Sequence, residues 1–127
     1  MAGKIVADQI EHSTAGSLDT SYVVQGSAKA WVNFNGNNAI ATRDSLNLSS
    51  LTDNGTGDYT TNFSNAFDTG NYATFYGRSI DSSAYPGGGL VVAGHITTSM
   101  RFIPQRSTGG VNFDTELAMA NNHGDLA

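Results

Sequence analysis

Apolar and polar positions alternate most clearly early in the chain. Ala30, Val32 and Phe34 take every second position of residues 30–35, with Trp31 and two asparagines between them. A period of two is that of a β-strand with one buried face. A Gly-Asn-Asn turn sequence ends the run. The pattern predicts a strand whose three alternating apolar side chains lie in the core.

A tight hairpin is predicted next. Leu46 and Leu48 alternate, and two serines then shift the phase to Leu51, which indicates a β-bulge or a strand end. The turn sequence Asp-Asn-Gly-Thr-Gly follows. Because Asn54 and Gly55 tolerate the positive φ values of a type I′ turn, we expect the strands on either side to pair antiparallel.

Further runs rich in β-branched and aromatic residues also predict strands. They cover residues 21–25, 72–76, 90–96, 100–103 and 111–117. The aromatic density of 72–76 indicates a central strand packed on both faces. Pro104 ends the strand before it, because proline cannot donate to a sheet. Three consecutive glycines within 82–89 predict an exposed loop.

Regularly spaced strands predict an all-β protein with one antiparallel β-sandwich, of the jelly-roll or immunoglobulin-like type, over residues 29–117. Residues 1–28 are interpreted as an N-terminal arm with a short strand. Residues 3–10 could also form an edge strand, but we favour an arm that pairs with a neighbouring subunit through Ile5, Val6 and Ile10. Residues 118–127 are interpreted as a C-terminal tail, helical, frayed or held by a partner.

The composition favours the all-β class and argues against several partners. Charged residues make up 13% of the 127 residues, against about 25% in ordinary soluble domains. The net charge of −5 disfavours nucleic acid, which requires clustered lysine and arginine. The chain has no cysteine, so disulfides and thiolate metal sites are excluded. With no secretion signal and no apolar run of about 18 residues, we expect a soluble protein made in a cytoplasm.

Candidate catalytic chemistry is sparse. The histidines, His12, His95 and His123, occur in no nucleophile or metal-binding motif, and no Gly-x-Ser-x-Gly sequence is present. His95 lies in a predicted strand and is interpreted as a structural histidine. An ion held on a symmetry axis by one histidine or aspartate from each subunit stays an open alternative.

Aspartates beside predicted turns raise the question of a glycosidase. They are Asp53, Asp58, Asp68 and Asp81. Two carboxylates at the right separation hydrolyse glycosides, but aspartate in a turn also bonds its own backbone two residues further on. We favour the turn interpretation, so the sequence predicts a protein that is not an enzyme and needs no cofactor.

Aromatic side chains are the remaining candidates for a binding site, because they can stack on sugar rings. Four lie in predicted strands, where core packing is the default: Trp31, Tyr59, Tyr72 and Tyr76. Tyr85 lies instead in the glycine-rich loop. It is followed by Pro86 and Gly87, and these three residues are predicted to contact a ligand or a partner.

Three motifs carry a resemblance to a known group of proteins. They are KAWVNFNG at residues 29–36, ATRDSLNLSS at 41–50 and DNGTGDYTTNF at 53–63. In this order they resemble a segment of virion structural and tail-fibre proteins of tailed bacteriophages, especially from aquatic hosts. The resemblance covers about residues 1–76.

The resemblance implies a β-rich, trimeric component of the virion, attached to the tail or to the major capsid protein. It brings no catalytic residues. The second half of the chain would then carry the recognition surface, with a host-surface glycan as one partner. We rank a tail-fibre or adsorption-apparatus role first; the alternatives are a capsid decoration protein that stabilises the shell and a small lectin-like module.

Overall fold

Ten strands and one short helix make up the described part of the chain. A computed structural model describes residues 3–79, 90–105 and 109–127. In chain order the elements are β1 (Gln9–His12), β2 (Gly16–Asp19), α1 (Thr20–Gly26), β3 (Ala30–Asn35), β4 (Ala41–Leu46), β5 (Leu48–Gly55), β6 (Asp58–Phe63), β7 (Ala73–Arg78), β8 (Leu90–Ile96), β9 (Ser99–Pro104) and β10 (Ala118–His123). Every pair of these strands is antiparallel, which confirms the all-β prediction.

The strands form two four-stranded sheets and a separate hairpin. Sheet 1 has the order β4-β3-β10-β7, sheet 2 has the order β5-β6-β9-β8, and β1 pairs with β2. The prediction of an immunoglobulin-like strand order is wrong. In immunoglobulin domains the last strand pairs only with the one before it, whereas β10 pairs with both β3 and β7 at the centre of sheet 1.

The core lies between the two sheets. Ala30, Val32 and Phe34 are at most 3% exposed, as their alternation predicts. The ring of Phe34 lies across the layers, 5.1 Å from the ring of Tyr59 and 5.7 Å from that of Phe102. The inner faces of β3, β6 and β9 therefore pack against one another and hold the sheets together.

A single residue, Asn47, connects β4 of sheet 1 to β5 of sheet 2. Asn47 has φ 56, in the left-handed region that asparagine tolerates better than most residues. Its side-chain Oδ1 accepts a hydrogen bond from the backbone N–H of Asn65 at 2.7 Å. Beyond this corner the register shifts between Leu48 and Ser50, which confirms the predicted bulge. The corner joins the edge strands of both sheets.

The predicted hairpin is present as β5–β6, but its turn differs from the prediction. Positive φ values occur at Gly55 and Gly57, and Asn54 has none. The prediction of a type I′ turn at Asn54 and Gly55 is therefore wrong. The side-chain amide of Asn54 instead donates to Thr60 Oγ1 at 2.8 Å, which holds Asn54 within the strand.

The end of the described chain is part of sheet 1. Residues 118–123 form β10 between β3 and β7, so the prediction of a separate tail over 118–127 is wrong. The alternating buried residues, Ala118, Ala120 and Asn122, are too small or too polar to mark a strand by hydropathy. Residues 111–117 are not a strand, although Phe113 and Thr115 are buried.

Two aromatic or β-branched runs fold differently from their predictions. Residues 21–25 belong to α1, where local helical hydrogen bonds satisfy the backbone and no strand of the described residues pairs with it. The run at 72–76 lies at a sheet edge, since β10 is the one strand among the described residues that pairs with β7. Phe75 is 68% exposed, so the predicted packing on both faces is wrong.

Within the described ranges, no helix has the length and apolar character needed to cross a bilayer.

Candidate functional site

The contact residues predicted from the sequence fall in two places. Tyr85, Pro86 and Gly87 lie outside the described residues. The proposed arm residues Ile5 and Val6 are 94% and 81% exposed, and both precede the β1–β2 hairpin. The chain is not extended throughout this region, because β1 folds back on β2.

The four strand aromatics divide between the core and the surface. Tyr59 and Tyr72 are buried, as core packing predicts. Trp31 instead lines a groove on the outer side of sheet 1, together with Phe75. Tyr76 borders the same groove from the register row of Ala120 and Val32.

The groove lies across β3, β10 and β7 and has a volume of about 460 Å³, within the range of ligand-binding clefts. We call it the sheet-1 groove; its lining residues are Trp31, Val32, Asn33, Phe75, Tyr76, Gly77, Met119, Ala120 and Asn121. Asn121 is opposite Trp31 on one side and Phe75 on the other. Met119 is likewise opposite Asn33 and Gly77. These two rows of side chains face away from the core, because their neighbours Ala118 and Ala120 face inward.

Glycine at position 77 shapes one end of the groove. A Cβ atom built there would lie 3.2 Å from Met119 Cγ and 3.3 Å from its Sδ. Because Gly77 has no side chain, Met119 can lie across β7. The methionine thereby covers the backbone at this end and leaves the row of Trp31, Asn121 and Phe75 open.

Two buried amide oxygens in the groove have no hydrogen-bond partner. Within residues 3–79, 90–105 and 109–127, Asn33 Oδ1 and Asn121 Oδ1 are the buried side-chain polar atoms left unpaired. Asn35, also on β3, differs, because its Oδ1 accepts from the N–H of Asn37 at 3.1 Å. An unsatisfied buried acceptor costs about 1–3 kcal/mol. Both oxygens are covered by neighbouring atoms and have almost no accessible surface.

The histidines do not meet in one site. His95 donates from Nδ1 to the carbonyl of Gly70 at 3.1 Å, and its Nε2 lies 2.8 Å from Thr74 Oγ1. His123 donates from Nδ1 to the carbonyl of Gly26, and His12 belongs to β1. Among the described residues, no three histidine or acidic side chains gather where they could hold a metal ion.

Two of the four turn aspartates, Asp53 and Asp58, make hydrogen bonds that hold the structure. Asp53 Oδ1 accepts from the N–H of Gly55 at 2.8 Å, which is the local turn bond expected for aspartate. Asp58 accepts from Arg101, and this hydrogen bond holds the pKa of the carboxyl below its usual value. Asp68 is exposed, and Asp81 lies outside the described residues.

Tyr59 joins the hairpin to residues 113–115. Its hydroxyl oxygen lies 3.0 Å from both the Gly36 carbonyl and Asp114 Oδ1, and the same carboxylate accepts from the N–H of Gly57 at 2.7 Å. Burial, and then the hydrogen bond to Asp114, raise the pKa of the phenol. Tyr72 lies in the same core, and burial raises its pKa to about 12.

These two phenols predict a loss of stability at high pH. Both keep their protons in the folded state above the ordinary tyrosine pKa of about 10, at which unfolded chains ionise. Their stabilisation is complete below about pH 10 and is lost as the pH rises through the folded values. Denaturant unfolding at about pH 8 and about pH 11 should show a lower free energy at the higher pH. The Tyr72→Phe variant should lose less between the two conditions, and equal losses would contradict the prediction.

Comparison with known proteins does not identify a family. No protein-family model, no curated protein and no solved structure matches the chain.

Two aromatics that border the groove, Trp31 and Tyr76, were expected from the sequence to pack in the core. It missed the two unpaired amides and Met119. The alternation of β3 contained part of the signal, because Asn33 must face away from Val32. Asn121 carried no such signal without the assignment of β10 as a central strand.

Proposed function

We propose that this chain is a structural subunit of a tailed-bacteriophage virion, of the tail-fibre or adsorption-apparatus type. It works by assembly and surface recognition and not by catalysis. The three motifs between residues 29 and 63 support the virion assignment by resemblance. The apolar surface at the start of the chain supports a protein that assembles with other subunits.

That surface is the observation that carries the proposal. We call residues 3–26 the N-terminal apolar segment. Its large apolar side chains are exposed by 41–94%: Ile5, Val6, Ile10, Leu18, Tyr22, Val23 and Val24. None of its residues is buried in the single chain. Exposed apolar side chains in such number mark interaction sites in folded proteins, so this segment is expected to pack against another subunit.

The sheets offer places for such packing. Among the described strands, each of β4, β5, β7 and β8 pairs on one side only, which leaves backbone donors and acceptors on the other side. A strand from a neighbouring subunit can pair with such an edge. In a trimer each subunit would both donate its N-terminal apolar segment and receive one, which closes the assembly.

Solution mass tests the assembly step. Wild-type protein is expected to have three times the chain mass of 13.3 kDa by light scattering. The triple variant Ile5→Ser, Val6→Ser, Ile10→Ser should fall to the mass of one chain, because it removes the apolar contact. Circular dichroism should not change, since all three side chains are exposed.

A matched control uses exposed apolar residues elsewhere. Val92 and Ile96 on β8 are 40% and 57% exposed, and the Val92→Ser, Ile96→Ser variant should keep the wild-type mass. A monomeric wild-type protein, or a triple variant with unchanged mass, would refute the assembly role of the segment.

The position of the chain in a particle tests the virion assignment. Antibody labelling and image reconstruction of purified phage should place it on the tail in a few tens of copies or fewer. Hundreds of copies on the shell would instead support the capsid decoration alternative. Particles without the chain would overturn the proposal.

A further inference from the structure

The chain contains two Asn-Gly sequences, Asn35-Gly36 and Asn54-Gly55. An asparagine followed by glycine is the pair at which a polypeptide most readily modifies itself, because glycine has no side chain to keep its backbone nitrogen away from the asparagine Cγ. The nitrogen closes a five-membered ring on Cγ and expels ammonia. A folded protein permits this reaction only where the two residues can leave their hydrogen bonds.

The first pair is held inside the protein by residues distant in the chain. Gly36 is buried, and its N–H donates to the carbonyl of Thr115 at 2.8 Å. The carbonyl oxygen of Gly36 lies 3.0 Å from the hydroxyl of Tyr59. The side chain of Asn35 is bonded to the backbone of Asn37. Ring closure requires the backbone here to rotate, so these bonds would have to break first.

The second pair lies at the exposed end of the β5–β6 hairpin. Asn54 and Gly55 are both exposed, and a Cβ atom built on Gly55 would have no neighbour within 4 Å. The Nδ2 of Asn54 donates to Thr60 Oγ1 at 2.8 Å and to Asp58 Oδ1 at 3.2 Å. Neither bond reaches beyond the hairpin, so both can open without disturbing the contacts between the sheets.

A carboxylate already contacts the nitrogen that would attack. Asp53 Oδ1 accepts from the N–H of Gly55 at 2.8 Å, which is within the range of a general base. This N–H bond lies in the plane of the peptide, whereas the electron pair that attacks Asn54 Cγ is perpendicular to that plane. Asp53 can therefore take the proton while the carbon–nitrogen bond forms.

We propose that Asn54 is a site of self-modification, at which the chain converts asparagine to aspartate and isoaspartate. The nitrogen of Gly55 attacks Asn54 Cγ, Asp53 takes the proton of that nitrogen, and the electron pair of the carbonyl moves to Oδ1. The tetrahedral intermediate then breaks its Cγ–Nδ2 bond, and Nδ2 leaves as ammonia with the proton that Asp53 returns. Water opens the resulting cyclic imide at either carbonyl carbon. One water is consumed and one ammonia is released.

The product changes the end of the hairpin. A carboxylate replaces the amide donor beside Asp58 and makes the net charge of −5 more negative by one. Like charges this close repel each other. Isoaspartate also adds a methylene group to the backbone, which displaces the end of β5 from its register with β6. Modification of Asn54 therefore loosens β5 from β6 as the protein ages.

Peptide mapping of the full chain tests the site. Trypsin cleaves after Lys29, Arg43 and Arg78. The two Asn-Gly sequences therefore fall in separate peptides, 30–43 and 44–78. Folded protein kept in mildly alkaline buffer should gain aspartate and isoaspartate in the second peptide, assigned to residue 54 by fragmentation, and should keep the first peptide intact. In concentrated urea both pairs should react, because unfolding frees the first one.

Two results of the mapping would overturn the proposal. One is folded protein in which residue 54 stays asparagine while the urea sample reacts. The other is folded protein in which both Asn-Gly pairs react at the same rate, since the fold would then select neither.

A pair of threonine variants tests the release of the Asn54 side chain. Thr60→Val removes the acceptor of its amide and should raise the rate about fivefold. Thr52→Val is the matched control, because Thr52 lies opposite Thr60 and accepts from Asn62 instead. Its rate should equal that of the wild type. The same rate in both variants would refute this step.

The Asp53→Asn variant tests the base. The new amide keeps an oxygen that can accept from the N–H of Gly55, but it cannot take the proton. The rate at residue 54 should fall at least about tenfold and should then rise more steeply with pH, since hydroxide has to replace the carboxylate. A variant with the rate and pH profile of the wild type would refute the role of Asp53.

The modification site stands independently of the virion assignment. Modification of residue 54 in a chain that is absent from phage particles would refute only the virion assignment. A chain found in the particle that keeps Asn54 under these conditions would refute only the modification.

Discussion

The Phe34→Ala variant is expected to lose about 3–5 kcal/mol of the free energy of unfolding. Phe34 has no exposed surface, and its ring contacts Tyr59 and Phe102 across the two layers. Alanine would leave a cavity where β3, β6 and β9 meet. Because domains of this size are stable by about 5–15 kcal/mol, the loss is a large part of the total. Equilibrium unfolding in urea measures it.

Phe75 provides a control with the same chemical change. It is 68% exposed on β7, so Phe75→Ala should change the free energy of unfolding by no more than about 0.5 kcal/mol. Equal losses in the two variants would show that the sheets do not pack through Phe34.

Replacing Gly57 with alanine is expected to cost about 3 kcal/mol or more, from backbone strain and steric overlap together. Gly57 has φ 57, and a Cβ atom there would lie 2.4 Å from the carbonyl oxygen of Phe113 and 2.5 Å from its nitrogen. These are backbone atoms that no rotamer change can move. The clash would separate the hairpin from residues 113–115 and weaken the bond from the Gly57 N–H to Asp114.

The Gly110→Ala variant distinguishes backbone strain from steric overlap. Its φ of 62 is nearly that of Gly57, but the nearest atom to an added Cβ is Gln105 Oε1 at 3.8 Å. Gly110→Ala should therefore cost only the left-handed conformation, about 1–2 kcal/mol. Thermal unfolding of both variants compares them, and equal shifts in melting temperature would rule out the clash with Phe113.

Local pattern was sufficient to predict the elements whose partners are close in the chain. The alternation of Ala30, Val32 and Phe34 predicts β3 and its buried face, because large apolar residues at period two leave no other arrangement. The phase shift after Leu48 predicts the bulge, and the glycines predict a hairpin. The turn itself was placed too early, since Asn54 bonds to Thr60 and stays in the strand.

The pairing of strands that are distant in the chain could not be predicted from the local pattern of residues. β10 has alanines at its buried positions, and these pack in the core with the large rings of sheet 2. Their hydropathy pattern alone does not predict a strand. Val23 and Val24 favour a strand by propensity, yet they lie in α1, and no strand within the described ranges pairs with them. The groove was missed for the same reason as β10: Asn121 takes its position between Trp31 and Phe75 only after that strand is inserted.

The central position of β10 has a consequence for how the protein is made. Ala30 and Asn122 are bonded although 92 positions separate them in the chain. During translation the β5–β6 hairpin can form as it leaves the ribosome. β3 and β7 cannot be linked through β10 until residues 118–123 emerge. Such non-local pairing slows folding. The edge of β3 that pairs with β10 is therefore open to chaperones, or to pairing with other nascent chains, for most of synthesis.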